Sequence, residues 1–458
     1  MVVDLLIKNG SVVFPGDKVQ KVDVGVVSGK IAGFYANSDG IEAKNVIDST
    51  NLHIFPGVID PHMHIGIYNP LERDFVEQTR AAAIGGITTL VNYFRGKESY
   101  HIYTPQLIET GEKNSLIDFT FSFGVLTKRH LSELEEIIKE YGITSYKFYR
   151  NYQDNIGKIF GVDDPLTLDA ADMMEILDLF KKTSDKLVLC VHCEDMDLQR
   201  SVVKKLKEGA VGDTLEFFSK TSPDYAETAS VMQALYLNKL VNGNMYIVHL
   251  SAGSSVDILE KMDWLMEEGV TLETCPHYLV LNENSSCGLL AKVNPPIHTK
   301  EDSEKLWEGI RKGLIKTIGS DNCPCDLDKK YGKGQSVWDV LPGFPGAGMI
   351  LPVLISEGYH KRNIPLETVA AVTSFETAKA LGLTGKGAME IGADADFAVV
   401  DLELEKEVKP EVFGGSDYSV YDGMKLKGWP VYTISRGEVI QKDGQITAEQ
   451  GRGKFIKR

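Results

Sequence analysis

The chain has 458 residues, 43% of them hydrophobic and 25% charged, which is enough to bury a large core and too much for one small domain. A formal charge of −16 argues against a nucleic-acid or anionic-membrane surface, and no apolar run approaches the ~18 residues of a membrane span. Only six cysteines occur, and Met1-Val2-Val3-Asp4 begins no signal peptide, so the expectation is a cytoplasmic, enzyme-sized protein with reduced thiols.

Residues 1–54 read as short strands separated by Gly, Asn, Asp and Ser turns, as in Leu5-Leu6-Ile7-Lys8-Asn9-Gly10 and Lys30-Ile31-Ala32-Gly33-Phe34. The same texture returns at 395–401, 431–435 and 438–444. The two ends therefore predict one small discontinuous β domain, a sandwich of 1–54 plus 388–458, around an α/β centre at 55–387. In that centre, apolar strand-like runs fall at 55–60, 87–94, 117–125, 144–149, 187–193, 245–250, 270–275 and 315–321. Helical periodicity between them includes 131–141, 170–182, 227–241 and 301–313. Eight strands with connecting helices is the count of a closed (β/α)8 barrel. An open doubly wound sheet is the alternative, but no G-x-G-x-x-G follows a strand. Gly382-Leu383-Thr384-Gly385-Lys386-Gly387 lacks phosphate-loop spacing and reads as a loop leaving a helix at 376–381. The Gly- and Pro-rich 341–348 is a mobile or tightly turned loop on the face where barrels build active sites.

Metal-capable side chains gather at the strand ends. His62 and His64 sit past the first run, spaced so that an extended backbone turns both to one side. By itself the pair fits metal ligands and ordinary polar loop residues equally. Lys147 lies late in the fourth run, His192 near the end of the fifth, His249 at the end of the sixth, and Asp321 closes the eighth. In a barrel all of these open onto one face. His277 and His298 fall in loops of that face, whereas His53, His101, His130 and His360 do not fit the pattern. Cys190-Val191-His192-Cys193 and Cys323-Pro324-Cys325 lack a second spaced pair and read as buried small residues. Lysine is a strange member of a ligand set, since a protonated amine repels a cation. A neutral amine can add carbon dioxide, and the resulting carbamate is an anion able to bridge two metal ions.

Pro56–His64 as a run, Lys147 with Tyr152 five residues on, Val191-His192-Cys193-Glu194, His249-Leu250-Ser251, Glu273-Thr274-Cys275-Pro276-His277-Tyr278-Leu279 and Gly319-Ser320-Asp321 resemble the cyclic amidohydrolases. That family holds dihydropyrimidinases, hydantoinases, allantoinases and dihydroorotases, and the resemblance runs end to end, through Gly392-Ala393-Asp394-Ala395-Asp396 and Tyr421-Asp422-Gly423-Met424. It implies two divalent metals, zinc first and manganese as the alternative. His62, His64 and Asp321 would hold one, His192 and His249 the other, with carboxylated Lys147 and a hydroxide between them. It also implies that Asp321 carries the proton to the departing nitrogen and that Tyr152 hydrogen-bonds the oxyanion.

The resemblance is uneven at the substrate. Dihydroorotases carry an arginine two residues past the second histidine, where this chain has Gly66. Hydantoinases carry Ser-Pro-Pro-hydrophobic-Arg, where Asn294-Pro295-Pro296-Ile297-His298 stands here. Their histidine after the metal aspartate is Asn322, and their Asn-Gly is Pro342-Gly343. The expected activity is opening of a hydantoin- or dihydropyrimidine-like ring to a carbamoyl acid, with Asn294 and Pro342 beside the substrate. Allantoin or another ureide such as xanthine is the alternative, and a non-catalytic scaffold or a single-metal deaminase are readings of other classes. The expected partners are a small-molecule substrate and copies of the chain, as a homotetramer, rather than nucleic acid or membrane.

Overall fold

The computed structural model describes residues 2–150, 168–209 and 212–458. Its centre is an eight-stranded, all-parallel sheet in sequential order: Val58–Met63, Ile87–Phe94, Asp118–Gly124, Ser145–Tyr149, Val188–His192, Met245–Ile247, Val270–Thr274 and Ile315–Ile318. A parallel bridge between Met63 and Asn322, with the His64 amide donating to the Asn322 carbonyl at 2.7 Å, closes the ring. The fold is therefore a TIM-like barrel with associated β sheets. Alternation along the strands explains why they read as continuous apolar runs. Phe119, Phe121 and Phe123 face the surrounding helices, as do Leu189 and Val191. Ile59, Val91, Tyr93, Val188, Cys190, Tyr246 and Val248 fill the interior.

Helices 131–141, 170–182, 227–241 and 301–313 of the sequence reading correspond to Lys128–Tyr141, Ala170–Thr183, Asp224–Val241 and Lys300–Arg311. Two of these start on a reciprocal cap, Asp169 with Asp172 and Thr299 with Asp302. Helix Glu376–Leu381 ends on Gly382 at φ +68°, a left-handed cap that glycine adopts without strain. Its Ala378 and Leu381, with Leu383, plug the barrel floor.

One expectation needs correction. The first barrel strand is not 55–60. His53–Pro56 belongs to a different sheet, and the barrel strand starts at Val58, so His62 lies within the strand and His64 one residue past it. The change of sheet falls at Gly57, where a Cβ would come within 2.3 Å of Thr88 Oγ1 and 2.8 Å of Asp396 Cβ. The terminal β residues form the two sheets of the expected sandwich. A four-stranded sheet comes from Val2–Lys8, Asp23–Val27, Lys30–Tyr35 and Glu42–Asp48 alone. A seven-stranded sheet combines N-terminal strands with Phe397–Glu407, Lys425–Ser435 and Glu438–Lys442. One apolar layer that includes Val24, Ile31, Ile54, Phe397 and Ile434 joins them. No helix among the described residues is long and apolar enough to cross a membrane.

Candidate metal centre and active site

The barrel's alternation aims the chemistry. Inward positions of the fourth strand are Ser145, Lys147 and Tyr149, and those of the fifth are Val188, Cys190 and His192, register partners across the sheet. Lys147 is 1% exposed, deep in the interior. His249 and Asp321, each just past its strand, sit at φ +40° and +49°. That left-handed conformation costs a non-glycine residue of order 1–3 kcal/mol and is held only where the surroundings enforce it. Both strained residues are candidate ligands, which places the strain where side chains must be aimed.

Three of the predicted residues converge tightly. His62, His64 and Asp321 each offer a ligand atom within 4.8 Å of the others. Asp321 Oδ1 lies 3.1 Å from His64 Nε2 and 3.5 Å from His62 Nε2. His249 and His192 stand beside them, their rings 4.5 Å apart, with His249 5.4 Å from His62. The charge of Lys147 reaches all four histidines, depressing each of them after the larger effect of burial. The chain therefore brings together His62, His64, Lys147, His192, His249 and Asp321. Tyr152 lies outside the described residues.

Electrostatics show what the cluster lacks. Burial holds His62 and His249 well below the ordinary imidazole range, so both are neutral and able to donate a lone pair. Burial raises Asp321, but His62 and His64 outweigh it and keep the carboxylate ionised. Burial also pushes the Lys147 ammonium down to about 8, within reach of the neutral amine. Lys147 Nζ, His62 Nε2 and His249 Nδ1 are buried with no hydrogen-bond partner among the described residues. Leaving three such atoms unsatisfied is costly, and cations bound among them would remove that cost. This donor set, neutral imidazoles with a carboxylate and a titratable amine, suits borderline divalent ions.

Carboxylates set behind the histidines orient them. Glu273 Oε1 accepts from His62 Nδ1 at 2.8 Å and from the His249 amide at 2.9 Å, and Tyr246 donates to Oε2. Burial pushes Glu273 up to about 8. Glu194 lies 2.6 Å from His192 Nε2 and is itself held by Gln199 and Ser222. Asp60 receives the His62 and Ser320 amides. Such partners fix ring orientation and tautomer. Sequence reasoning placed Glu194 and Glu273 inside motifs without giving them these roles; the signal was an acidic residue two past His192 and another at the end of a buried strand. His277 is buried against Phe344 and does not join the cluster. His298 faces Ser219, while His101, His130 and His360 make local contacts elsewhere. All six cysteines are unpaired and five are buried, with the Cys190 and Cys193 thiols pushed up by burial to about 11 and about 12. They are packing residues, not thiolate ligands.

Above the cluster opens a cavity of roughly 230 Å³. Asn294 and Pro342 both line it, together with His64, Lys147, His192 and Asp321. The 341–348 loop is tightly turned. Tyr68 donates to the Pro342 carbonyl, Lys330 to that of Gly343, and the Asn322 side chain accepts from the Gly346 and Ala347 amides. Asn322 thus serves the loop rather than the cavity.

Known proteins agree with this construction. The Amidohydrolase family profile matches residues 53–440. The D-hydantoinase of Geobacillus stearothermophilus is 32% identical over 99% of this chain and 96% of its own length. The allantoinase of Deinococcus radiodurans is 29% identical over 100% and 99%. The crystal structure of dihydropyrimidinase from Brevibacillus agri superposes with a TM-score of 0.89 at 28% identity, covering 99% of this chain and 98% of that one. The chain belongs to the amidohydrolase family, and within it to the cyclic amidohydrolases, metal-dependent enzymes that hydrolyse cyclic amides.

Proposed function

We propose that the protein opens a hydantoin- or dihydropyrimidine-like ring at a two-metal site bridged by carboxylated Lys147. The observation that carries this reading is the buried Lys147 amine, without a hydrogen-bond partner among the described residues and with its charge felt by all four histidines. His62, His64 and Asp321 would hold one ion and His192 and His249 a second, zinc or else manganese, which together supply a nucleophilic water at neutral pH. Asp321, ionised and lining the cavity, takes the proton of the attacking water and returns it to the leaving ring nitrogen. Glu273 and Glu194 keep His62 and His192 aimed throughout. The cavity walls at Asn294 and Pro342 orient the ring, and Tyr152 is assigned the oxyanion hydrogen bond. The product is a ring-opened carbamoyl acid.

The catalytic unit is assigned to 55–387 and the β domain to 1–54 plus 388–458. A homotetramer acting in the cytoplasm is supported by exposed Tyr225, Tyr236, Leu240 and Trp264 around helix Asp224–Val241, and by six unpaired cysteines. Light scattering that returns a monomer mass removes the first statement.

The test is a ring-opening panel with zinc- and manganese-loaded enzyme on dihydrouracil, hydantoins, allantoin, dihydroorotate and xanthine. Turnover of dihydrouracil or a hydantoin is expected. Turnover of allantoin or xanthine alone would favour the second reading, for which Asn294 and Pro342, departing from the hydantoinase pattern at the cavity wall, are the specific support. Absence of bound divalent ions would leave a scaffold.

A further inference from the structure

Two lysines are buried behind the cavity wall. Lys330 ends the short helix Leu327–Lys330 and is fully buried; Lys292 follows the turn Gly288–Ala291 and is buried too. Neither lines the cavity. Both amines donate to backbone carbonyls: Lys330 Nζ to Lys292 at 3.2 Å and Gly343 at 2.6 Å, and Lys292 Nζ to Val337 and Val340, each at 2.6 Å. Burial pushes the Lys330 amine down to about 7 and the Lys292 amine down to about 8. Holding two amines there is costly, and the carbonyl oxygens they bind offset the cost. An uncharged amine still keeps two N–H donors, as many as each lysine uses.

These bonds join two stretches of chain. The Gly343 amide donates to the Lys292 carbonyl at 2.8 Å, and the Leu341 amide to the Lys330 carbonyl at 3.0 Å. Segment 337–343 is therefore tied to the two lysines at Val337, Val340, Leu341 and Gly343. The cavity residues Asn294 and Pro342 hang from this frame, the first two positions after Lys292 and the second between Leu341 and Gly343. Gly343 sits at φ +91°, where a Cβ would stand 2.8 Å from Cys323 Cβ, so the segment is also seated closely against the end of the eighth strand's loop. We propose that Lys330, assisted by Lys292, is a positioning residue that holds the Asn294 and Pro342 walls at a fixed separation and so sets how tightly the ring is bound. This rests on the ring-opening reading above, and it places a determinant of substrate affinity on side chains outside the cavity lining.

The test uses metal-loaded wild type, Lys330→Met, Lys330→Gln and, as a control for loss of a buried lysine elsewhere, Lys386→Met, with hydantoin and dihydrouracil as substrates and hydrogen exchange as a second readout. Lys330→Met should raise KM about tenfold, the scale of one hydrogen bond to a charged group, with kcat changed less than about threefold and metal content unchanged. Lys330→Gln, which keeps two N–H donors on a shorter stem, should fall between, and Lys386→Met should leave KM as it is. Exchange in Lys330→Met should accelerate at 288–294 and 336–344 and nowhere in the barrel strands. An unchanged KM, a loss carried by kcat, or an equal rise of KM in Lys386→Met overturns the proposal and leaves ring opening intact. If wild type hydrolyses neither ring nor any other of the panel, the ring-opening reading falls and exchange decides: acceleration confined to both segments supports the clamp, and unchanged exchange overturns it. If neither Lys330 variant folds, wild-type exchange decides, since Leu341 and Gly343 amides that exchange as fast as exposed loops would overturn the clamp and protection equal to the barrel strands would support it.

Discussion

The two ends of the barrel carry two buried charge clusters built on opposite terms. At the floor, Asp118, Asp394 and Asp396 come close enough to suggest a cation site, but Lys386 Nζ occupies their centre at 2.7, 2.9 and 2.7 Å. Arg436 and the Lys454 amide complete Asp118. At the rim, the histidines and Lys147 retain buried atoms that no described side chain satisfies. Three carboxylates with a built-in ammonium need no ion; neutral imidazoles around a buried amine lowered to about 8 offer donors to one. Proximity of acidic groups is thus a poorer guide to a metal site than unmet hydrogen-bonding capacity.

That contrast can be broken from either side. Asp321→Asn should cost about 10³-fold in kcat, the span of general acid–base catalysis, at unchanged melting temperature. Lys147→Ala should do likewise, with partial rescue by added short-chain carboxylates, and full activity in that variant would remove the carbamate from the mechanism. At the floor, Lys386→Met strands buried carboxylates and should cost about 3–5 kcal/mol of stability in denaturant unfolding, while metal content and kcat of the folded fraction hold.

Acid acts on the rim through His277. Burial holds His277 down at about 4, whereas the unfolded imidazole titrates at 6.5. Below 6.5 the unfolded chain binds a proton that the folded site refuses. The stabilisation is therefore complete above that pH and is lost progressively toward about 4, reaching about 3 kcal/mol. His277→Phe should flatten the fall of the metal-free protein's unfolding midpoint on acidification. The smallest effect is expected for Glu273→Gln, about 10–100-fold in metal affinity, read by competition with a chelator.

Much of the barrel was legible because its strands are buried on both faces and read as apolar runs. The first strand was misplaced because Ile54, Phe55, Val58 and Ile59 read as one apolar run across two sheets, although Pro56-Gly57 marks the break between them. Strand Glu42–Asp48 was hidden by its largely exposed polar residues. Helix Met196–Glu208 was not singled out although Leu198, Val202 and Leu206 fall at helical spacing; it buries none of its residues fully. At the site, strand ends disclosed the histidines, Lys147 and Asp321, since alternation fixes direction. The positive φ at His249 and Asp321 was not read from the sequence, since aspartate and histidine adopt it more often than most residues but only in a minority of cases.

Glu273 Oε1 holds the ring of His62 and the backbone of His249, which belong to the two different groups of candidate ligands. One carboxylate oxygen therefore spans both halves of the centre. Under the proposed two-metal reading, an ion that draws His62 into place would also fix the oxygen that positions His249, and the two sites would fill cooperatively. Titrated with metal, the protein should pass from empty to doubly loaded with few singly loaded molecules, and Glu273→Gln should turn that steep isotherm into two independent steps.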